Sequence, residues 1–448
     1  MSPIAVGNRS LYLVLLSAFS LLLMIGLTAG SPVLEAAEPV LAKGVVGLPS
    51  GKLTDTDWPW WRGPGRNGIA PASAQPPVEW DAAKNLLWKT PIPGRGHSSP
   101  TVVGDRVFLT TAVEAKKSQL ALCLDRATGK LLWQVELHQG GFDHNNKKNS
   151  FASSTIACDG QRLFVVFWNR GAIWTTSLDL QGKQLWQVKV ADFVSHQGYS
   201  SSPVIYQDLV VVAADSKGKG NSCLLAMNRQ TGKEVWRVKR PKMPNYVSPT
   251  VFNLAGKDQL LMAGCDLMSG FDPQTGKVIW ECPGSTVECV GSVVTTEGLV
   301  FASGGYPKHE TICVRADGSK QILWRNRVKV YVPSLLAHQG YVYAVTDNGV
   351  SYCWEAKTGK EMWKGRLPGG FSSSPILAAG RIYITSEQGR TLVFKPSPQG
   401  LEVIANNPLG GEAFASPVFS GEDLFLRTAF LENGRQEYLC CVRKLPAR

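Results

Sequence analysis

After residue 40 the apolar and polar positions follow a period of two. Short runs such as Val107-Phe108-Leu109, Leu209-Val210-Val211-Val212, Tyr341-Val342-Tyr343-Ala344-Val345 and Arg381-Ile382-Tyr383-Ile384 are rich in β-branched and aromatic residues, which suit strands packed on both faces. Each follows a two-residue turn: Gly104-Asp105, Gln207-Asp208, Gln339-Gly340 and Ala379-Gly380. A turn of that length joining two such runs predicts a hairpin. No stretch after residue 40 has a sustained helical period with caps, so the body is predicted to be all-β.

The hairpins belong to a larger unit. Eight openings of small residues recur at Ser99-Pro100, Ser154-Thr155, Ser202-Pro203, Ser248-Pro249, Ser292-Val293, Pro333-Ser334, Ser374-Pro375 and Ser416-Pro417, at intervals of roughly 40 to 55 residues, the period of four-stranded propeller blades. Seven junctions carry a tryptophan: Trp88, Trp133, Trp186, Trp236, Trp280, Trp324 and Trp363. Four of these follow a shared turn, Asp125-x-x-Thr128-Gly129-Lys130, Asn228-x-x-Thr231-Gly232-Lys233, Asp272-x-x-Thr275-Gly276-Lys277 and Glu355-x-x-Thr358-Gly359-Lys360, and Asp179 to Lys183 is a shortened form. A tryptophan inserted between blades hides about 200 Å², worth at most roughly 5 kcal/mol.

One such sheet cannot bury both faces alone, so neighbours must stack, and a closed ring removes the exposed first and last sheets. The final unit has runs at Leu424-Phe425-Leu426 and Tyr438-Leu439-Cys440-Cys441-Val442 and then ends without its tryptophan strand, whereas Leu86-Leu87-Trp88-Lys89 stands unpaired ahead of the first opening. The prediction is an eight-bladed β-propeller of four-stranded antiparallel blades over residues 85–445, its last blade closed by an N-terminal strand.

Residues 1–37 read differently: Arg9, an apolar run over residues 11–27, then small residues Thr28-Ala29-Gly30 and Ala36-Ala37. This is the pattern of a secretory signal, with an uncleaved inner-membrane anchor as the alternative. No cysteine lies near the end of the run, so a lipid-modified N-terminus has no support. The mature chain is expected in the periplasm or otherwise exported, with no further membrane span. Residues 38–84 comprise a linker and a cap containing Trp58-Pro59-Trp60-Trp61-Arg62-Gly63-Pro64, expected to pack on the ring as a plug.

Net charge is +12, which invites a nucleic-acid partner. Five of the lysines, Lys130, Lys183, Lys233, Lys277 and Lys360, belong to the repeated turn and spread around the perimeter, a belt rather than a binding stripe. No nucleic acid is expected. Ten cysteines in an exported chain raise disulfides. Cys123, Cys313, Cys353 and Cys441 occupy one slot of the repeat, filled elsewhere by Ser177, Ala226, Gly270 and Val393. That slot calls for a small buried side chain, and equivalent slots of different blades stand too far apart for a bridge. Cys282 with Cys289, which flank a junction, and the adjacent Cys440-Cys441 are the remaining candidate pairs.

The turn and docking tryptophan resemble the pyrroloquinoline-quinone-like (PQQ-like) β-propeller superfamily over roughly residues 85–445. Pro59-Trp60-Trp61-Arg62-Gly63-Pro64, Lys148-Asn149-Ser150, Asp347-Asn348-Gly349 and Asn407-Pro408-Leu409 resemble the exported propellers of planctomycete-type bacteria, which are similar to the periplasmic lipoprotein of the outer-membrane β-barrel assembly machinery. The resemblance implies either a non-catalytic envelope scaffold with a protein partner, or a quinone-dependent dehydrogenase holding PQQ and calcium over the axis. In such enzymes a disulfide between adjacent cysteines lies in a loop near the quinone. Here Cys440-Cys441 falls within a strand, and no cofactor residue is carried over.

No other catalytic constellation emerges. His97, His138, His144, His196, His309 and His338 lack metal-ligand spacing, and neither a Gly-x-Ser-x-Gly elbow nor a phosphate-binding loop occurs. Hydroxyls beside proline at each inner strand are expected to serve packing near the axis. The residues just upstream of the openings, His97, Phe151, Tyr199, Tyr246, Glu288, Tyr331, Phe371 and Phe414, are expected to converge at the channel mouth with Asn149. They form either a plug of rings or a collar able to stack a sugar, a peptide or a planar ligand. Residues 140–149, the longest loop between units, border this region and are the first choice for a contact surface.

Overall fold

Each predicted hairpin is present and extends into a four-stranded antiparallel meander. The structure, a computed structural model, describes residues 46–47, 53–218 and 220–446; the predicted signal over residues 1–37 lies outside them. Eight blades follow in order, over residues 101–139, 157–192, 204–239, 250–283, 294–326, 336–366 and 376–408, with the last formed by 418–442 and the strand Leu86–Ile92. That N-terminal strand pairs antiparallel with Gln436–Val442, placing Lys89 opposite Cys440 and Thr90 opposite Leu439. Among the described residues no helix is long and apolar enough to cross a membrane.

Innermost strands such as Thr101–Val103 and Val204–Tyr206 are buried throughout, while outer strands such as Leu131–Gln139 alternate between exposed and half-buried positions. This gradient explains why the inner runs are continuously apolar and the outer ones mixed.

The tryptophans and the shared turn are two halves of one joint. Trp88, Trp133, Trp186, Trp236, Trp324 and Trp363 each donate an indole N–H to a carbonyl in the turn region of the following blade, at Arg126, Leu180, Arg229, Pro273, Ala356 and Ser397, over 2.7–3.2 Å. The turn glycine serves this contact. Gly129 and Gly232 both have φ +72°, and a Cβ on them would stand 2.5 Å from the Trp88 ring and 2.9 Å from the Trp186 ring. Asp125 Oδ1 accepts from the Thr128 N–H and hydroxyl at 2.8 and 2.6 Å, holding the turn open to the incoming indole.

Register also explains the small slot of the repeat. Cys123, Ser177, Ala226, Gly270, Cys313, Cys353 and Cys441 lie opposite Trp133, Trp186, Trp236, Trp280, Trp324, Trp363 and Trp88. In blade seven, which lacks a tryptophan, Val393 faces Ala405. Trp280 departs from the pattern: its N–H goes to Gln259 Oε1 at 2.7 Å, and Gln259 Nε2 donates onward to the Ala316 carbonyl at 2.9 Å. The glutamine thus relays the usual indole-to-turn bond. Gly270 provides the room, since a Cβ there would lie 2.4 Å from Trp280 Nε1. Gly270→Ala is expected to cost about 1–3 kcal/mol by overpacking, read as a lowered urea midpoint. Ser177→Ala in the same slot, where the hydroxyl has no partner, is expected to stay within about 1 kcal/mol of the parent.

All ten cysteines are buried free thiols, Cys282, Cys289, Cys440 and Cys441 among them.

The tryptophan-rich cap crosses the ring at the far ends of the inner strands. Trp58 exchanges backbone bonds with Val102 at 2.8 and 3.0 Å, Pro59 accepts from the Cys158 N–H, and Gly68 and Ala70 bracket Leu377. Arg62 donates to the Leu335 carbonyl at 2.8 Å and Arg66 to that of Ile205 at 2.6 Å. Burial lowers both guanidinium groups to about 9, so they remain cationic at neutral pH. The segment thus contacts inner strands or their flanks in blades one, two, three, six and seven.

Candidate functional site at the mouth of the ring

The small residue opening each blade is a fastener. The Ser99 N–H donates to Thr155 Oγ1 at 3.1 Å, Thr155 to Ser202 at 3.0 Å and Ser202 to Ser248 at 2.9 Å; a second arc runs from Ser292 to Ser334, Ser374 and Ser416 at 2.9, 2.9 and 2.8 Å. Trp61 of the cap donates its indole N–H to Ser292 Oγ at 2.8 Å, and Ser99 Oγ donates to the Ser416 carbonyl at 3.1 Å. In blade two the equivalent residue is Thr155, one position later than the Ser154 opening suggests. At the seven positions other than Ser99 the hydroxyl serves as acceptor, and the proline that follows Ser99, Ser202, Ser248, Ser374 and Ser416 fixes φ without sacrificing a needed donor.

Counting from this belt organises the mouth. The residues two positions before each hydroxyl, His97, Ser153, Ser200, Tyr246, Val290, Val332, Ser372 and Phe414, all line one axial cavity of about 300 Å³ with Trp61. Asn146, Lys148, Asn149 and Gln197 from two connecting loops, together with Tyr331 and Asp347, complete it. In an extended segment alternate side chains share a face, so the hydroxyl and the residue two before it both look at the axis.

Of the nine residues expected at the mouth, His97, Asn149, Tyr246, Tyr331 and Phe414 line the cavity, whereas Phe151, Tyr199, Glu288 and Phe371 do not. Tyr199 and Phe371 lie three positions before their hydroxyls and turn into the blades, where both are buried and Tyr199 donates to the Ala213 carbonyl at 2.9 Å. Phe151, four before Thr155, stacks on Phe142 with centroids 4.1 Å apart. Glu288 is buried behind the wall, accepting from the Tyr331 hydroxyl at 2.8 Å. Selection by residue type does not keep the two-residue spacing to the hydroxyl, from which Tyr331 and Asn149 alone depart among the five lining residues. The wall residues it missed, Ser153, Ser200, Val290, Val332 and Ser372, are legible once the spacing to the hydroxyl is kept constant.

Charges at the mouth are internally matched. Lys148 Nζ binds both carboxylate oxygens of Glu387 at 3.0 and 3.1 Å, joining the loop after blade one to blade seven. Asp347 accepts the backbone N–H groups of Tyr331 and Val332 at 2.9 and 3.1 Å. Burial, and then the cations of Arg95, Arg427 and Arg435, hold His97 well below the usual histidine range, so its ring, stacked on Phe414 at 4.3 Å, is neutral. Burial raises the phenols of Tyr246 and Tyr331, the latter also through Glu288, and both remain protonated.

A family model described as outer membrane protein assembly factor BamB matches residues 116–349 and 321–397. The chain belongs to the BamB family. It is 24% identical over 352 residues to the BamB of Burkholderia pseudomallei, covering 75% of this chain and 82% of that protein. The crystal structure of BamB from Moraxella catarrhalis superposes with a TM-score of 0.57 at 14% identity, over 79% of this chain and 98% of that one. The quinohemoprotein alcohol dehydrogenase of Comamonas testosteroni superposes with a TM-score of 0.62 at 11% identity, over 88% and 81%. At such identities these two establish the fold alone.

The dehydrogenase relatives require a test for quinone and calcium. Among the described residues no grouping of three or more His, Cys, Asp or Glu side chains is placed to hold a metal ion, and the one carboxylate lining the cavity, Asp347, is engaged by two backbone N–H groups. Cys440 and Cys441 sit fully buried in the last blade, opposite Lys89 and Trp88. Burial raises the Cys440 thiol to about 12. Asp347 is thus the one carboxylate that this cavity presents among the described residues.

Proposed function

We propose that this chain is an exported, non-catalytic propeller scaffold that holds another protein of the cell envelope during assembly of outer-membrane proteins. The observation that carries the reading is the BamB family match across residues 116–349 and 321–397, together with alignment over 82% of the Burkholderia protein. A ring closed by its own N-terminal strand and crossed at one end by the cap is a rigid platform, and loops on rigid platforms are where contact residues concentrate. Residues 140–149 are such a loop, with Asp143, His144, Asn146, Lys147 and Lys148 exposed.

A photo-cross-linking residue at position 144, in cells of the source organism, is expected to capture an outer-membrane barrel protein or a component of its assembly machinery. The same residue at the exposed position 55, on the cap side, is expected not to. Capture of the same species at both positions, or of no envelope protein at either, overturns the reading.

A further inference from the structure

We propose that the axial cavity is a binding site for a small neutral saccharide, a mono- or disaccharide, independently of any scaffold role. Three features of the cavity converge on this chemistry. First, its walls carry aromatic rings: Tyr246, Tyr331 and Trp61, beside Phe414, which is itself stacked on a neutral His97 with Arg95 over its ring. Aromatic faces of this kind bury area with little entropy loss and match the C–H faces of a pyranose.

Second, the belt supplies hydroxyl donors in a ring. Ser202, Ser248, Ser374 and Ser416 each accept a neighbouring backbone N–H on Oγ, and among the described residues none of these hydroxyls donates to a protein acceptor. Four O–H groups therefore line the cavity with protons to give. A ligand carrying several oxygen acceptors satisfies them, while an apolar ligand leaves them desolvated without partners.

Third, the site offers no free cation, since among the described residues Lys148 is the one lysine or arginine lining it and is held by Glu387. Asp347 is engaged by two N–H groups, and His97 is neutral. Burying an anionic ligand here would lack a compensating cation. The volume of about 300 Å³ lies at the small end of ligand sites, which run from about 300 to 1,000 Å³, and so limits the ligand to one or two sugar rings.

The test is saturation-transfer NMR and calorimetry on the purified protein with glucose, galactose, xylose, maltose and cellobiose, against glucuronate and PQQ. At least one neutral sugar is expected to bind, more tightly than glucuronate. Phe414→Ala is expected to weaken it at least about tenfold. Ser200→Phe, which fills the cavity from a half-buried wall position, is expected to abolish it, and this variant carries the test if Phe414→Ala fails to fold. The proposal is overturned if no neutral sugar binds at millimolar concentration, if glucuronate or PQQ binds better, or if binding survives Ser200→Phe in a protein whose circular dichroism is unchanged.

Discussion

Deleting the strand Leu86–Ile92 is expected to broaden the unfolding transition and to make the chain self-associate beyond the parent's state. This strand is the outermost of the last blade, paired along Gln436–Val442, and it alone brings residues from before the first blade into the sheet that ends the ring. Without it the Gln436–Val442 edge is bare, presenting unpaired backbone groups that template further pairing. The strand also carries Trp88, whose indole bonds to the Arg126 carbonyl of blade one at 3.0 Å and whose ring lies 5.9 Å from Phe425. Trp88→Ala retains the backbone pairing and loses the joint, for a cost of about 3–5 kcal/mol. Urea titration and size-exclusion chromatography distinguish the two variants: the point variant keeps the parent's elution volume with a lower midpoint, and the deletion elutes earlier. A deletion variant that keeps the parent's elution volume and midpoint would contradict this account of closure.

Arg427→Met is expected to be nearly as damaging, and repairable. Arg427 is buried at the seam between the last blade and the first, bonded through Nε to Glu437 Oε1 at 2.5 Å and through Nη1 to Ser98 Oγ at 2.7 Å and the Thr110 carbonyl at 2.8 Å. Glu437 in turn accepts from the Gly96 N–H at 3.1 Å and from Arg435 at 2.9 Å. Removing the guanidinium leaves a buried carboxylate short of its main partner, a loss of about 3–5 kcal/mol. Replacing both residues, Arg427→Met with Glu437→Gln, removes the charge along with its partner and is expected to recover most of that loss. A double-mutant cycle from denaturant midpoints measures the coupling. Additive single losses would mean that the pair does not act as a unit.

Neither effect follows from residue type alone, although the sequence comes close for the first. The unpaired Leu86-Leu87-Trp88-Lys89 run and the missing strand of the last unit are both visible in the sequence, and their pairing is the register observed. The small slot before each turn is equally legible, though its cause, a tryptophan directly opposite, becomes evident only from the register. Arg427 and Glu437 carry no sequence signal of their importance, because their partners at Gly96, Ser98 and Thr110 belong to the other end of the chain. The mouth was legible in part. Residue types pointed to His97, Asn149, Tyr246, Tyr331 and Phe414, and misled at Phe151, Tyr199, Glu288 and Phe371, whose side chains enter the blades or lie behind the wall.

What the sequence by itself determined is everything written within one repeat: strand alternation, the hairpin turns, the Asp-x-x-Thr-Gly-Lys turn with its tryptophan, hence the blade, the blade number and the need to close. These are local because a turn's chemistry and a strand's faces are set by a few adjacent residues. Only the tertiary structure decided that Thr155 rather than Ser154 joins the hydroxyl belt, that Trp280 reaches its neighbour through Gln259, and which parity of each opening segment faces the axis. Those outcomes rest on hydrogen bonds between blades about 40 or more residues apart, and a bond whose two ends meet only when the ring closes leaves no mark in the periodicity of either.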